Sequence, residues 1–254
     1  ALAAFASLPA AGASAQSRTA EPAPHVMVTT FASTDKDLGI KAAEELRNRI
    51  TRDVDARKLV VITKNDINKT LEASGYPTTE ALAPADAKAL ATLLRADEYI
   101  DGVATKTPTG VKVEARLVLS RDQNIGQPLP PVDAADVGKA AQAISKSYQA
   151  ARDQLAAEKN CYMLFRAGKF AEAAIMARSG LAKYPNGTIA MVCLANAYQE
   201  QKMTDSVLAV SERITAIDPR NISALRYEAE IYQARNNNDK AIETLTRLMA
   251  ADPG

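Results

Sequence analysis

Residues 185–219 begin and end at proline and read PNGTIAMVCLANAYQEQKMTDSVLAVSERITAIDP. A second interval of the same length ends at Pro253, so Pro185, Pro219 and Pro253 stand 34 residues apart. A 34-residue period is typical of arrays whose unit is a helix–turn–helix hairpin, and proline closes each unit because it cannot continue a helix. We therefore expect the carboxyl-terminal part of the chain to consist of stacked helix pairs.

The register holds at several other positions when each proline is set at repeat position 32. The recurring residues are Cys161, Ala195 and Ala229 at position 8, Leu164, Tyr198 and Tyr232 at position 11, and Ala173, Val207 and Ala241 at position 20. This register resembles the tetratricopeptide consensus, although position 4 has no Trp, position 8 has no Gly, and the third turn is Asn236-Asn237-Asn238. The resemblance implies three repeats over residues 153–254. A helical bundle with coincidentally spaced prolines is the alternative.

The tetratricopeptide resemblance also implies a partner-binding groove along the first helix of each repeat. Carried onto this chain, the groove residues are Glu158, Tyr162, Phe165 and Arg166, then Val192, Asn196, Gln199 and Glu200, then Arg226, Glu230 and Gln233. Polar side chains with a few apolar ones suit an extended peptide or a helix laid into the groove. An ordinary solvated helix surface is the other interpretation.

The two cysteines fall in the first helices of neighbouring repeats. Cys161 lies at position 8 and Cys193 at position 6 of helices that pack side by side. A disulfide requires Cα atoms within about 7 Å. We favour two buried, unreactive thiols, because Cys often serves as a small core residue. A Cys161–Cys193 disulfide is the alternative.

The chain before the repeats alternates strand and helix signals. Residues 26–31, 58–63, 99–104 and 111–119 are rich in β-formers, and the last of these ranges alternates apolar and polar residues. Helical spacing of apolar residues separates the strands, and one helix opens at Pro84. The pattern predicts an α/β domain, a mixed sheet with flanking helices, over residues 25–132.

This domain resembles the amino-terminal domain of TolB and the related periplasmic domains of the CsgG and FlgO-like families. The resemblance covers residues 25–121 and rests on Thr30-Phe31, Ala43-Glu44-Glu45-Leu46, Leu59-Val60-Val61, Ala73-Ser74-Gly75-Tyr76 and the segment from Leu94 to Gly102. Arg95 departs from the small residue of the family pattern. The sequence also lacks the membrane-crossing hairpin region of a curli pore, which disfavours pore formation.

Two segments are expected to connect the domains. Residues 125–132 read IGQPLPPV and predict a linker. A connecting helix is predicted over residues 133–152, packing either on the α/β domain or against the first repeat.

The first fifteen residues indicate export. Residues 1–15 are small and apolar and end Ala13-Ser14-Ala15, which predicts the remnant of a signal peptide. A structural helix is the alternative. Residues 16–24 are expected to form a flexible tether, and no Cys follows the cleavage site to carry a lipid. We expect a periplasmic, non-lipidated protein in an oxidising compartment, associated with membranes only through its partners.

Composition and motifs argue against nucleic-acid binding, a metal or cofactor site, and catalysis. The chain has 31 basic and 30 acidic residues, without the basic excess that nucleic-acid binding requires. Its one histidine, His25, has no metal-ligating neighbours at a suitable spacing, and its 11 glycines form no phosphate-binding loop. We expect no catalytic residue, metal or cofactor, and therefore no enzyme.

Three functions remain open at this stage. The leading hypothesis is a non-enzymatic adaptor that binds protein partners in a bacterial cell-envelope assembly. The second is a self-associating ring or filament component of an outer-membrane machine. That hypothesis draws on the uncapped face of the last repeat, around Leu245 and Leu248, although further sequence beyond Gly254 is the explanation we favour for that face. The third is a ligand-sensing α/β domain.

Overall fold

A mixed sheet with helices on both faces forms the amino-terminal part of the molecule. The structure, a computed structural model, describes residues 22–251; the predicted signal segment, residues 16–21 of the tether and Pro253 lie outside them. The elements are β1 His25–Val28, α1 Lys36–Asp53, β2 Val60–Val61, α2 Lys64–Ala73, α3 Pro84–Leu93, β3 Glu98–Thr107, β4 Gly110–Leu119, β5 Gly126–Pro128, β6 Val132–Ala134 and α4 Val137–Arg152.

The sheet has the strand order β2-β1-β3-β4-β5, with β6 also paired to β4. The strands β2, β1 and β3 are parallel, whereas β4 is antiparallel to β3, β5 and β6. Parallel pairing is possible here because a helical crossover follows each of the first two strands. The predicted α/β domain with a mixed sheet, followed by helices, is confirmed.

Side-chain alternation along the strands separates two cores. In β4 the apolar residues Val111, Val113, Ala115, Leu117 and Leu119 bury one face of the sheet against α1 and α4. The opposite face carries Met27, Tyr99 and Val118, which pack with α2 and α3. The domain is therefore a three-layer structure, with the sheet in the middle.

The prediction of a linker at residues 125–132 was wrong. Gly126–Pro128 pairs with β4 as β5, Leu129 is buried, and Val132 begins β6. The prolines did not prevent pairing, because proline is tolerated in short edge strands and the apolar Leu129 gains from burial. This segment is part of the sheet.

The helix predicted to connect the domains belongs to the α/β domain. It begins at Val137, after β6, and packs along α1. Tyr148 Oη on this helix donates a hydrogen bond to Glu98 Oε1 at 2.8 Å, and Arg152 Nε lies 2.6 Å from the same oxygen. Burial raises the pKa of the Glu98 carboxyl, and the nearby Arg152 opposes that shift. The contacts fix α4 to the start of β3.

Six helices follow, arranged as three consecutive pairs. They are α5 Leu155–Arg166, α6 Phe170–Lys183, α7 Thr188–Glu200, α8 Thr204–Ile217, α9 Ile222–Ala234 and α10 Asn238–Ala251. The second helices of the pairs begin at residues 170, 204 and 238, and α7 and α9 begin at 188 and 222. The 34-residue spacing of the sequence is thus a spacing of helices. No helix in residues 22–251 is long and apolar enough to cross a membrane.

The turn inside each pair repeats the same backbone geometry. Gly168, Lys202 and Asn236, which are 34 residues apart, all have positive φ, at 73°, 59° and 55°. The amide of the next residue donates to the carbonyl of position 11 in each pair, Leu164, Tyr198 or Tyr232, at 2.9, 3.0 and 2.9 Å. This is the hydrogen bonding of a helix that ends in a left-handed residue. Lys202 and Asn236 adopt this conformation without the glycine that favours it.

A disulfide joins the first two pairs. Cys161 on α5 and Cys193 on α7 form a disulfide, with their Cα atoms 6.4 Å apart. The prediction of two free thiols was therefore wrong. Both residues are buried within one apolar cluster shared by α5, α6 and α7. The close approach follows from the small residues at positions 8 and 20, which are buried in all three pairs.

We predict that the double variant Cys161→Ala/Cys193→Ala loses about 3 kcal/mol of unfolding free energy, because a bridge over a loop of this size restricts the unfolded chain by about that amount. Urea unfolding followed by circular dichroism measures the change. Wild type unfolded in the presence of a reductant serves as the control and should approach the variant's midpoint. Equal midpoints for the variant and for oxidised wild type would show that the bridge contributes nothing.

Candidate functional site

The α/β domain meets the first two helix pairs at a buried junction, and the predicted groove begins beside it. Three buried polar residues form this junction: Gln127 on β5, Gln154 just before α5, and Thr188 at the start of α7. Each is at most 1% exposed. Buried polar groups are stable only when they are hydrogen-bonded, so their partners decide whether the junction holds.

Every one of these side chains is paired. Gln127 Oε1 accepts hydrogen bonds from the Thr188 amide at 2.7 Å and from Gln154 Nε2 at 3.1 Å, and Thr188 Oγ1 lies 3.1 Å from the same oxygen. Gln154 Oε1 accepts from the Ala190 amide at 3.0 Å, and Thr188 Oγ1 donates to the Gly126 carbonyl at 2.7 Å. The first turn of α7 thus receives its caps from two glutamines outside that helix.

The close approach of Gln154 requires glycine at position 187. A Cβ atom added to Gly187 would lie 2.4 Å from Gln154 Oε1 and 2.9 Å from its Cδ. Ile189 on α7 continues the contact into the core that covers the sheet. The helix pairs and the sheet therefore share a packed interface and are not joined by a flexible connection.

A loop from the α/β domain covers part of the predicted groove. This loop, residues 120–125 between β4 and β5, places the guanidinium of Arg121 in an ion pair with Glu158 on α5. The same guanidinium lies 4.4 Å from the ring centroid of Tyr162. Ile125 packs on the apolar cluster of α5, α6 and α7.

A second ion pair reaches further along the array. Nη2 of Arg116, on β4, lies 3.7 Å from Oδ2 of Asp218, which follows the last residue of α8. Asp218 is nearly buried, so this pair is less screened by solvent than a surface pair. The α/β domain therefore contacts both the first and the second helix pairs.

The eleven predicted groove residues divide into three groups. Glu158 and Val192 are buried; Tyr162, Phe165 and Asn196 are partly buried; Arg166, Gln199, Glu200, Arg226, Glu230 and Gln233 are exposed. The expectation that Glu158 and Val192 face an open groove was wrong. Glu158 is covered by Arg121, and Val192 lies in the cluster against which Ile125 packs.

The open part of the predicted groove lies on α7 and α9 and at the end of α5. Tyr227 Oη on α9 donates a hydrogen bond to Asn196 Oδ1 on α7 at 2.8 Å, which ties the two helices together at this surface. Burial raises the pKa of the Tyr227 hydroxyl, and the carboxylates of Glu230 and Glu200 raise it further. We name this surface the open wall: Arg166, Gln199, Glu200, Arg226, Glu230 and Gln233.

Sequence reasoning missed Arg121, Gln127 and Gln154. Gln127 lies in the segment interpreted as a linker, Arg121 lies shortly before that segment, and Gln154 lies at the start of the predicted repeats. None of them belongs to a motif. Their partners are 27 to 61 residues away, so no local pattern indicated them.

Two pockets on the surface of residues 22–251 differ widely in size. One cavity, beside Leu71, Tyr76 and Leu90, measures about 30 Å³, far below the several hundred Å³ of most ligand sites. A wide, shallow groove of about 520 Å³ runs along α3 beside Leu93 and Gln123. Within this range no three His, Cys, Asp or Glu residues are grouped to hold a metal ion. His25 begins β1, with its amide bonded to Asp97.

Comparison with known proteins gives weak structural likenesses. The C-terminal domain of LpoB from Salmonella enterica is similar at 15% identity and a TM-score of 0.36, over 46% of this chain and 87% of that domain. The same domain from Escherichia coli gives 14% and 0.35, over 44% and 83%, and TolB from Acinetobacter baumannii gives 17% and 0.33, over 51% and 28%. At these values none of the likenesses defines a fold or a function for this chain.

No protein-family model matches the sequence, and no curated protein matches it.

We predict that Arg121→Met costs roughly 2 to 3 kcal/mol of unfolding free energy, because it leaves the Glu158 carboxylate buried without its partner. Burial already raises the pKa of Glu158, and only Arg121 opposes that shift. Without Arg121 the folded state binds the Glu158 proton more tightly than the unfolded state does. The deficit relative to wild type should therefore shrink as the pH falls through the raised pKa.

Urea unfolding at several pH values tests this expectation. Arg57→Met, which removes an arginine from the exposed pair with Asp55, is the matched control and should change nothing measurable. The double variant Arg121→Met/Glu158→Gln should recover most of the loss. A loss that is equal at all pH values would contradict the assignment to the buried carboxylate.

Proposed function

We propose that helices α5 to α10 are a tetratricopeptide array and that the chain is a non-enzymatic periplasmic adaptor, binding a protein partner in a bacterial cell-envelope assembly. This proposal rests on the 34-residue recurrence of the helices and on the residue of left-handed conformation in the turn of each pair. An array of this kind offers an extended surface for a peptide or a helix. The open wall is where we place the partner.

The disulfide supports the cellular location in this proposal. Disulfides persist in oxidising compartments such as the bacterial periplasm and are rare in the cytosol. Cys161 and Cys193 are bonded, and the sequence begins with a segment that predicts export. Both observations favour a periplasmic protein.

The α/β domain has a defined part in this proposal. Its resemblance to the TolB, CsgG and FlgO-like domains favours a contact with a further component of the envelope. The buried junction around Gln127 and Gln154 holds the domain in one orientation to the array. A partner on the open wall and a partner on the α/β domain would therefore be held at a fixed geometry, which is what an adaptor provides.

Photo-crosslinking in the producing cells tests the function directly. A photoreactive amino acid replaces Gln199 or Gln233 on the open wall, and Ala209 on the exposed side of α8 is the control position. We expect Gln199 and Gln233 to crosslink one and the same protein, identified by mass spectrometry, and Ala209 not to do so. Charge reversal by Glu200→Lys or Glu230→Lys should weaken the crosslink.

The same experiment separates the second candidate function, self-association. Ile242 and Met249 on α10 are 65% and 73% exposed, and a second copy of the chain would cover them in a self-associated form. Crosslinking of the chain to a second copy of itself would favour the structural component over the adaptor. Crosslinks from Ala209 alone would contradict the placement of a partner on the open wall.

A further inference from the structure

A corner with two guanidinium groups lies where the loop of residues 120–125 meets the end of α5. Arg121 comes from the α/β domain and Arg166 from the last turn of α5, and both lie over the same side chain, Tyr162. We name Arg121, Tyr162 and Arg166 the arginine corner. It adjoins the open wall through Arg166.

The geometry of the corner is defined by Tyr162. The Arg121 guanidinium carbon lies 4.4 Å from the ring centroid and that of Arg166 lies 5.9 Å from it. Arg166 Nη1 also donates to Tyr162 Oη at 3.1 Å. Arginine stacked on a ring keeps its planar donors directed outward, toward a second ligand.

The charges at the corner do not balance. Glu158 is ion-paired with Arg121 and is buried beneath it. In the part of the chain that the structure describes, the only polar contact of Arg166 is with the neutral hydroxyl of Tyr162. The corner therefore carries an excess of positive charge over its one carboxylate.

Apolar surface flanks this charge. Phe165 and Phe170 pack with ring centroids 5.5 Å apart, and both remain partly exposed. Met163 on the same helix is 60% exposed. A ligand that suits the corner thus combines a carboxylate with apolar neighbours, a combination typical of a protein segment.

We infer that the arginine corner binds a carboxylate side chain of an acidic, partly apolar segment of the partner, with Arg166 as the principal contact. This inference rests on the proposed function and specifies the partner's chemistry at one end of the open wall. Arginine pairs with carboxylate through two parallel hydrogen bonds, which gives orientation as well as attraction. Because Arg121 belongs to the loop of residues 120–125, the α/β domain supplies part of the binding surface.

A nucleic acid fits the same corner less well. Binding to a phosphate backbone requires several basic groups spaced along a surface, and the chain as a whole carries a formal net charge of only +1.

Fluorescence anisotropy with defined peptides tests the inference on the full chain. The probe is a fluorescein-labelled, amidated peptide of alternating glutamate and leucine, and the comparison peptides carry glutamine or lysine in place of glutamate. We expect the glutamate peptide to bind at least about fivefold more tightly than either comparison peptide. Raising the salt concentration should weaken the glutamate peptide most.

Two protein variants locate the binding. Arg166→Glu should weaken the glutamate peptide by about tenfold, whereas Arg166→Lys should retain part of the affinity because it keeps the charge. Lys106→Glu, on the exposed end of β3, makes the same change of charge away from the corner and should bind as wild type does. Circular dichroism of each variant confirms that it is folded.

Three results would overturn the inference: no binding of the glutamate peptide, equal binding by wild type and Arg166→Glu, or a preference for the lysine peptide. The proposed function is decided separately by crosslinking from Gln199 and Gln233. If the Arg166→Glu variant still crosslinks the partner from Gln199 and Gln233, the adaptor function stands and the arginine corner has no part in it.

Discussion

The hydrogen bonds among Gln127, Gln154 and Thr188 fix the position of the helix pairs on the sheet. The amide groups of two glutamines cap the first turn of α7 from outside the helix, and the contact is buried on all sides. A buried amide without partners costs about 1 to 3 kcal/mol, so removing one member of the network destabilises the others. The network therefore holds one arrangement of the two parts.

That arrangement decides which part of the array a partner can reach. With the sheet held against α7, the loop of residues 120–125 lies over α5 and covers Glu158. The disulfide keeps α5 beside α7, so the covered and the open regions keep their relative positions. The proposed adaptor accordingly presents a surface shortened at one end by its own α/β domain, with Arg121 at the boundary.

The fold was more predictable from the sequence than the site was. The 34-residue register and the apolar alternation of β4 are local patterns, and local patterns report helix and strand. The segment IGQPLPPV carries the composition of a linker, and its pairing with β4 depends on contacts distant in sequence. The burial of Glu158 could not be predicted either, because Arg121, which covers it, comes from the α/β domain. Val192 lies in the apolar cluster of the helix pairs, and its burial depends on neighbours that are distant in sequence. The preference for two thiols over a disulfide was wrong, because the choice depends on the distance between α5 and α7, which no local pattern gives.

Native-state hydrogen exchange at Thr188 and Ala190 tests the junction most directly. Amides in the first turn of a helix ordinarily lack acceptors, but these two donate to Gln127 and Gln154. Ile222 occupies the position equivalent to Thr188 in α9, and among residues 22–251 its amide has no side-chain acceptor. We expect Thr188 and Ala190 to exchange only through global unfolding and Ile222 to exchange far faster. Exchange of Thr188 and Ala190 as fast as that of Ile222 would contradict a fixed junction.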